Sequence, residues 1–289
     1  MATRRPLLRP SLDWSTPIQE YVNLLGKGLQ QRPLWAYRLS AKSCFCRAVV
    51  QCGILTHRQM VHAALRYRLG RSKNDAVIYW QIDQLGNVND GKLMWYGPDC
   101  HRLKNCNATW VSFLMKKHCG LPQDTFQPTH VFFGTHLLSN YLSAPFFTGR
   151  GAYPKRTPFL SGGGARGGAT VCLVEAEKSA IILSELYPQY IWIASGGLFE
   201  LQLSKFYALM RYKVIMIPDT DPDGKAYTLW YETAQKVSKL FLWPRHNPIY
   251  VSDFLERHAT ADQKRRKIDL VDYILESNYF ANANQLANK

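Results

Sequence analysis

The chain has 289 residues, 46% of them apolar, and a formal net charge of +15. That length allows one large domain or two small ones with a real core. Without a run of about 18 uncharged apolar residues, no membrane span is expected and the protein reads as cytoplasmic. Residues 1–169 hold 22 Lys+Arg against 7 Asp+Glu, whereas residues 170–289 hold 14 of each, so all the excess positive charge lies in the first part and points to a polyanionic partner.

Residues 1–17 are basic and proline-containing, lack an apolar signal core, and are expected to be disordered. From Ile18 to about Leu69 apolar residues recur at helical spacing, as in VNLLGKGL and RQMVHAALRYRL, which predicts two or three helices. In VIYWQIDQLGNVNDGKLMWY (77–96), Ile78, Trp80 and Ile82 alternate with Tyr79, Gln81 and Asp83, and Leu85-Gly86-Asn87 supplies a turn. That predicts a β-hairpin whose aromatics either stack on bases or, more in keeping with half-buried strands, fill a core. Seven cysteines with no CxxC pair suit a reducing compartment. The groupings Cys44/Cys46/Cys52 and Cys100/His101/Cys106 fit no common zinc spacing, so no zinc is expected.

Residues 143–170 are rich in Gly and Pro. Gly162 to Gly167 match GxGxxG literally, but they precede a strand, VCLVE, and a dinucleotide fingerprint must follow one. The stretch is read as a linker or insertion between two lobes. Beyond it strands alternate with helices: VCLVE (171–175), a helix to Pro188, YIWIA (190–194), Ser195-Gly196-Gly197, a helix over 198–210, VIMI (214–217), a long helix with Leu229, Thr233, Val237 and Leu240 on one face, and a strand near 248–253. This predicts an α/β fold with a parallel sheet flanked by helices, functional groups gathering beyond the carboxyl ends of its strands, preceded by a smaller basic α+β lobe over 18–142. QKRRK (263–267) opens a further helix with Ile268, Val271 and Leu275 on one side, its basic face more simply solvated than bound to a backbone.

Glu175 ends the first of these strands and VIMIPDTDPDGKA sets Asp219, Asp221 and Asp223 just past the third. Carboxylates brought together there repel unless a hard divalent cation lies between them, and magnesium fits, with manganese as a substitute. An EF-hand needs Glu at its twelfth loop position, where Trp230 stands, and a helix rather than a strand before it. A haloacid-dehalogenase motif would carry Thr or Val where Asp223 stands. A turn whose aspartates only cap the next helix leaves Glu175 unexplained.

VCLVEAEKSAIIL, IASGG and VIMIPDTDPDGKA together resemble a Toprim domain, the catalytic fold of DnaG-type bacterial primases, topoisomerases and related nucleases. The stretches IYWQIDQLGNVNDGKLMWYG, TWVSFLMKK and VFFGTHLL resemble the lobe before Toprim in a group of primase-like proteins of bacterial mobile elements, and the likeness runs over roughly residues 60–275. It implies a Toprim-like catalytic domain over 171–280, with Glu175, Asp219 and Asp221 catalytic and metal-holding and Asp223 an auxiliary ligand. Lys178, Gly196, Gly197 and Lys225 are then candidates for phosphate, and Arg66, Arg68, Arg71, Lys92, Arg102 and Lys104 for nucleic acid. The primase motif Glu-Gly-x-x-Asp is altered here, with Ala176 for the glycine and Ser179 for the aspartate, and the chain has no room for topoisomerase strand-passage domains. The implied activity is magnesium-dependent nucleotidyl transfer on single-stranded DNA, using nucleotides and working beside a helicase or other replication or mobilisation proteins. The alternatives are a Toprim nuclease and a non-catalytic nucleic-acid-binding replication accessory protein.

Overall fold

In a computed structural model of the chain, residues 41–120, 122, 127–138, 169–241 and 248–277 are described. The tail at 1–17, any helix upstream of residue 41 and nearly all of the 143–170 segment lie outside them. The chain divides into two compact units, Met1–Leu137 and Leu138–Lys289.

The first unit opens with α1 (Cys44–Gln51) and α2 (His57–Arg66), each started by a hydroxyl: Ser43 accepts from the Cys46 N–H, and Thr56 forms a reciprocal capping box with Gln59. A four-stranded antiparallel sheet follows in the order β1 (Gly70–Arg71), β2 (Val77–Ile82), β3 (Val88–Met94), β4 (Thr109–Trp110). The expected hairpin is β2–β3, and Asp83 holds its turn by accepting the N–H groups of Leu85 and Asn87. Alternation along β2 suggested one wet face, yet all six of its residues are buried. Ile78, Trp80 and Ile82 join Leu93, Trp95 and, from α3 (Val111–Cys119), Val111, Leu114 and Met115 in one core. On the other face Tyr79 meets Phe45 and Phe133 edge-on at 5.9 and 5.4 Å. Tyr79, Trp80 and Trp95 are therefore core residues and offer no face to a base. Gly91 is where it is because Trp80 lies across it: a Cβ there would come within 2.7 Å of the indole ring.

The second unit is a parallel sheet in the order β6-β5-β7-β8, made of β5 (Thr170–Val174), β6 (Ile191–Ala194), β7 (Lys213–Ile217) and β8 (Ile249–Val251). Its central strands read as unbroken apolar runs because both faces are covered. The helices are α4 (Glu177–Leu186), α5 (Lys225–Leu240), α6 (Phe254–His258) and α7 (Ala261–Arg266). Three expectations are corrected. The segment 198–210 yields only a 3-10 helix, Leu203–Leu209. The buried stripe of α5 is Ala226, Trp230, Thr233, Ala234 and Val237, with Trp230 fully buried, while Leu240 is exposed. The helix with QKRRK stops at Arg266, where Lys267 takes a left-handed φ of 56°, and another begins at residue 270. Among the described residues no helix is long and apolar enough to cross a membrane.

Candidate functional site

The parallel register places the acids. Val174 pairs with Ile217 across β5 and β7, so Glu175 and the Pro218-Asp219 turn leave the sheet side by side at its carboxyl edge. β6 ends beside them: the Gly196 N–H donates to the Glu175 carbonyl at 2.9 Å, with Gly196 at φ 92°, a conformation that favours glycine. The Ser195 hydroxyl donates to the Gly197 carbonyl at 3.0 Å, and the buried ammonium of Lys205 donates to the carbonyl and carboxylate of Glu200 at 3.0 and 2.9 Å. The glycine loop is thus tied to the backbone of Glu175 itself.

Two further acids come from the far end of the chain. The Thr220 N–H donates to the Ile268 carbonyl at 3.1 Å, which brings Asp269 and Asp272 against the Asp219 turn. Asp269 accepts from the Ser179 hydroxyl at 2.6 Å through Oδ2 and from the Asp272 N–H at 2.8 Å through Oδ1. Lys178 stands 3.6 Å from Asp269 and 3.6 Å from Asp272. Burial, and then the charges of Asp269 and Glu175, push the Asp219 carboxyl well above the usual carboxylate range, with Lys178 opposing them. Asp219, with Glu175, Asp269 and Asp272 acting on it and Lys178 beside the last two, forms the acid pole. Ser179, at the position where the primase motif carries an acid, binds an acid from another element. Sequence reading missed Asp269 and Asp272 because their partners lie about 90 residues upstream; the only available signal was the D-x-x-D spacing at the start of the last helix.

Asp221 has a different place. It is buried, and its carboxylate accepts the N–H groups of Asp223 at 2.9 Å, Lys225 at 3.2 Å and Ala226 at 2.7 Å. Burial pushes its carboxyl up, but these three donors at the start of α5 outweigh that and hold it below its ordinary value. Asp223 is exposed and paired with the Lys225 ammonium at 2.6 Å. We expect Asp221→Ala to cost about 2 kcal/mol in denaturant unfolding. Asp221→Asn should recover part of that, since one oxygen still serves two of the donors.

The proposed nucleic-acid residues are scattered over the first unit. The Arg66 carbonyl accepts from His136 Nε2 at 3.1 Å. Arg68 has a φ of 54°. Arg71 pairs with Asp75 at 2.7 Å, an acid that Arg47 also grips. Lys92 lies on the sheet between Tyr79 and Trp110. Arg102 and Lys104 are exposed on the segment that follows the hairpin, Arg102 at a bridge to Tyr96 and Lys104 in a turn. Among the described residues no three His, Cys, Asp or Glu side chains converge to the geometry of a metal site. The donors at the acid pole are nonetheless all carboxylate oxygens, the set a hard divalent cation takes.

A protein family described as a domain of unknown function, DUF6371, matches residues 45–147 and 165–220, together more than half of the chain. The chain belongs to this DUF6371 family. The DUF6371 match takes in the hairpin unit and β5 through the first aspartate of D-x-D, and it ends before Asp269 and Asp272. No curated protein matches the chain. Among solved structures it is similar to the crystal structure of the primase fragment of the bacteriophage T7 primase-helicase protein, at 13% identity over 71% of this chain and 70% of that one, with a TM-score of 0.39. No residue role is carried over from that likeness.

Proposed function

We propose that this DUF6371 protein is a primase-like nucleotidyltransferase that acts on single-stranded DNA in the replication or transfer of a mobile element. The observation that carries the reading is the acid pole: Glu175 and Asp219 leave neighbouring parallel strands at one edge, with Asp219 held against further acids. Glu175 and Asp219 would hold magnesium, with Asp269 beside them, and such an ion supplies charge stabilisation for phosphoryl transfer. Asp221 acts on the loop: by gathering three N–H groups it fixes the Asp219 turn against α5. Lys178 offsets the charge of Asp269 and Asp272 and opposes the upward push on Asp219. The Gly196-Gly197 turn keeps side chains away from the Glu175 backbone, so an anionic substrate has room to approach. The Toprim likeness of the three motifs supports the same reading.

A second reading, a nucleic-acid-binding replication accessory protein, is favoured by the Ser179–Asp269 bond and the Lys178 pairs, which fill with internal partners a place where the primase motif has a free acid. The test is primer synthesis on single-stranded DNA with labelled ribo- and deoxynucleotides, with and without magnesium or manganese. The control is Glu175→Gln/Asp219→Asn, which leaves the Asp221 cap intact. Metal-dependent oligonucleotides lost in the variant would establish the transferase. A shortened template would make the protein a nuclease, and salt-sensitive binding without either product would establish the accessory role.

A further inference from the structure

The hairpin unit carries a hollow that the acid pole does not explain. After β3 the chain makes a tight turn and comes back. The Gly97 N–H donates to the His101 carbonyl at 2.9 Å, the Cys100 N–H to the Gly97 carbonyl at 3.0 Å, and the Leu103 N–H to the Trp95 carbonyl at 2.9 Å. Cys100 is buried with a left-handed φ of 60°, and the Cys52 thiol donates to the Pro98 carbonyl at 3.0 Å. Tyr96 and Arg102 form an antiparallel bridge, and Leu103 packs against the Trp80 core. The returning segment is therefore fixed at both ends of the turn and from below.

Its outer side lines an open hollow of about 820 Å3 walled by Asp99, His101, Arg102, Leu103 and Lys104. Arg102 stands at the bridge and Lys104 two residues on, in the turn that the Cys106 N–H closes by donating to the Leu103 carbonyl at 3.2 Å, and both are exposed on this wall. Asp99, the one acid among the described lining residues, accepts the His101 N–H at 3.1 Å through Oδ1. A rigid mount lowers the ordering cost of binding, and a hollow lined by guanidinium, ammonium and imidazole matches phosphate oxygens. The surrounding part of the chain carries the whole positive excess.

We propose that this hollow is a phosphate-binding site that grips the backbone of a single strand through Arg102 and Lys104, with His101 beside them. The proposal rests on the nucleic-acid reading above for the identity of the strand and is independent of the acid pole. Binding of a labelled oligothymidine to the full chain is measured without divalent ion across a salt series, for the wild type, Arg102→Gln/Lys104→Gln, and Arg58→Gln/Lys117→Gln as an equal change of charge at exposed positions elsewhere in the unit. The first variant should lower the slope of log K against log salt by about 1.4, two contacts at ~0.7 each for a single strand, and weaken binding alike for every base sequence. The control should leave the slope within a few tenths. Equal loss in both variants, or an unchanged slope in the first, overturns the proposal. Competition by ATP at constant ionic strength separates the sources of phosphate. Displacement at submillimolar ATP that disappears in the first variant assigns the hollow to a nucleotide and overturns the strand assignment, while failure of ATP to displace supports it. Because no divalent ion is present, a failed primer assay and a failed hollow are distinguishable.

Discussion

Asp219→Asn should raise the thermal stability of the metal-free protein while abolishing any magnesium-dependent activity. The carboxyl of Asp219 is desolvated and faces Asp269 and Glu175, which push it well above its ordinary value. A group whose folded pKa is raised binds its proton more tightly in the folded state, so its favourable contribution is complete below the unfolded value, near ~3.9 for Asp, and is lost as pH rises through the raised value. At neutral pH the buried carboxyl therefore works against folding, and the amide removes that penalty. The expected gain is on the order of 5 °C, the scale of 1–2 kcal/mol in a domain of this size. The gap between variant and wild type should widen as the pH of melting is raised from about 4. Saturating magnesium should close the gap by stabilising only the wild type. A variant that melts below the wild type at pH 7.5 without metal would show that Asp219 is neutralised in another way. Opposite signs for stability and activity would mark a site strained for function.

Trp230→Ala should be the most damaging single change in the second unit, costing about 3–5 kcal/mol. Trp230 is fully buried on the inner stripe of α5, between Ala226 and Ala234. Its indole N–H has no hydrogen-bond partner, which makes the comparison with phenylalanine informative. Trp230→Phe removes an unsatisfied donor, whose burial costs about 1–3 kcal/mol, against the loss of part of a ring. It should therefore unfold within about 1–1.5 kcal/mol of the wild type, whereas Trp230→Ala leaves a cavity on which the whole helix rests. Chemical unfolding of both variants checks this. A phenylalanine variant as weak as the alanine one would mean that the N–H has an acceptor in solution. Because α5 begins with the N–H groups that hold Asp221, Trp230→Ala should also reduce any magnesium-dependent activity through the Asp219 turn without touching the acids.

Much of the second unit was legible because its physics is local. The runs VCLV, IWIA and VIMI are unbroken, short and followed by Glu175, by Ser195-Gly196 and by Pro218-Asp219, and only a sheet covered on both faces makes such runs economical in water. Glu175 and Asp219 could be placed from the same pattern, since in a parallel sheet the carboxyl ends lie together. The role of Asp221 was not legible: D-x-D-P-D-G reads equally as a set of ligands and as a capping turn, and only the positions of three backbone N–H groups show where its oxygens are engaged. Asp269 and Asp272 were invisible for another reason, because Ser179, Lys178 and Asp219 reach them only after the chain has returned across the sheet. In the first unit the hairpin was readable from its turn, but the burial of both faces of β2 depends on Phe45 of α1 and Phe133 on one side and α3 on the other, which alternation alone does not encode.

The backbone bond between Thr220 and Ile268 has a consequence in time. During synthesis β5, β6 and β7 can pair as soon as they leave the ribosome, yet the acid pole stays incomplete until the segment around Ile268 has followed, on the order of 2–10 s later at 5–20 residues per second. A nascent chain therefore carries Glu175 and Asp219 without Asp269, Asp272 or the clamp on the Asp219 turn. The protein is assembled so that its anionic edge matures last, when the neighbouring strands are already in register.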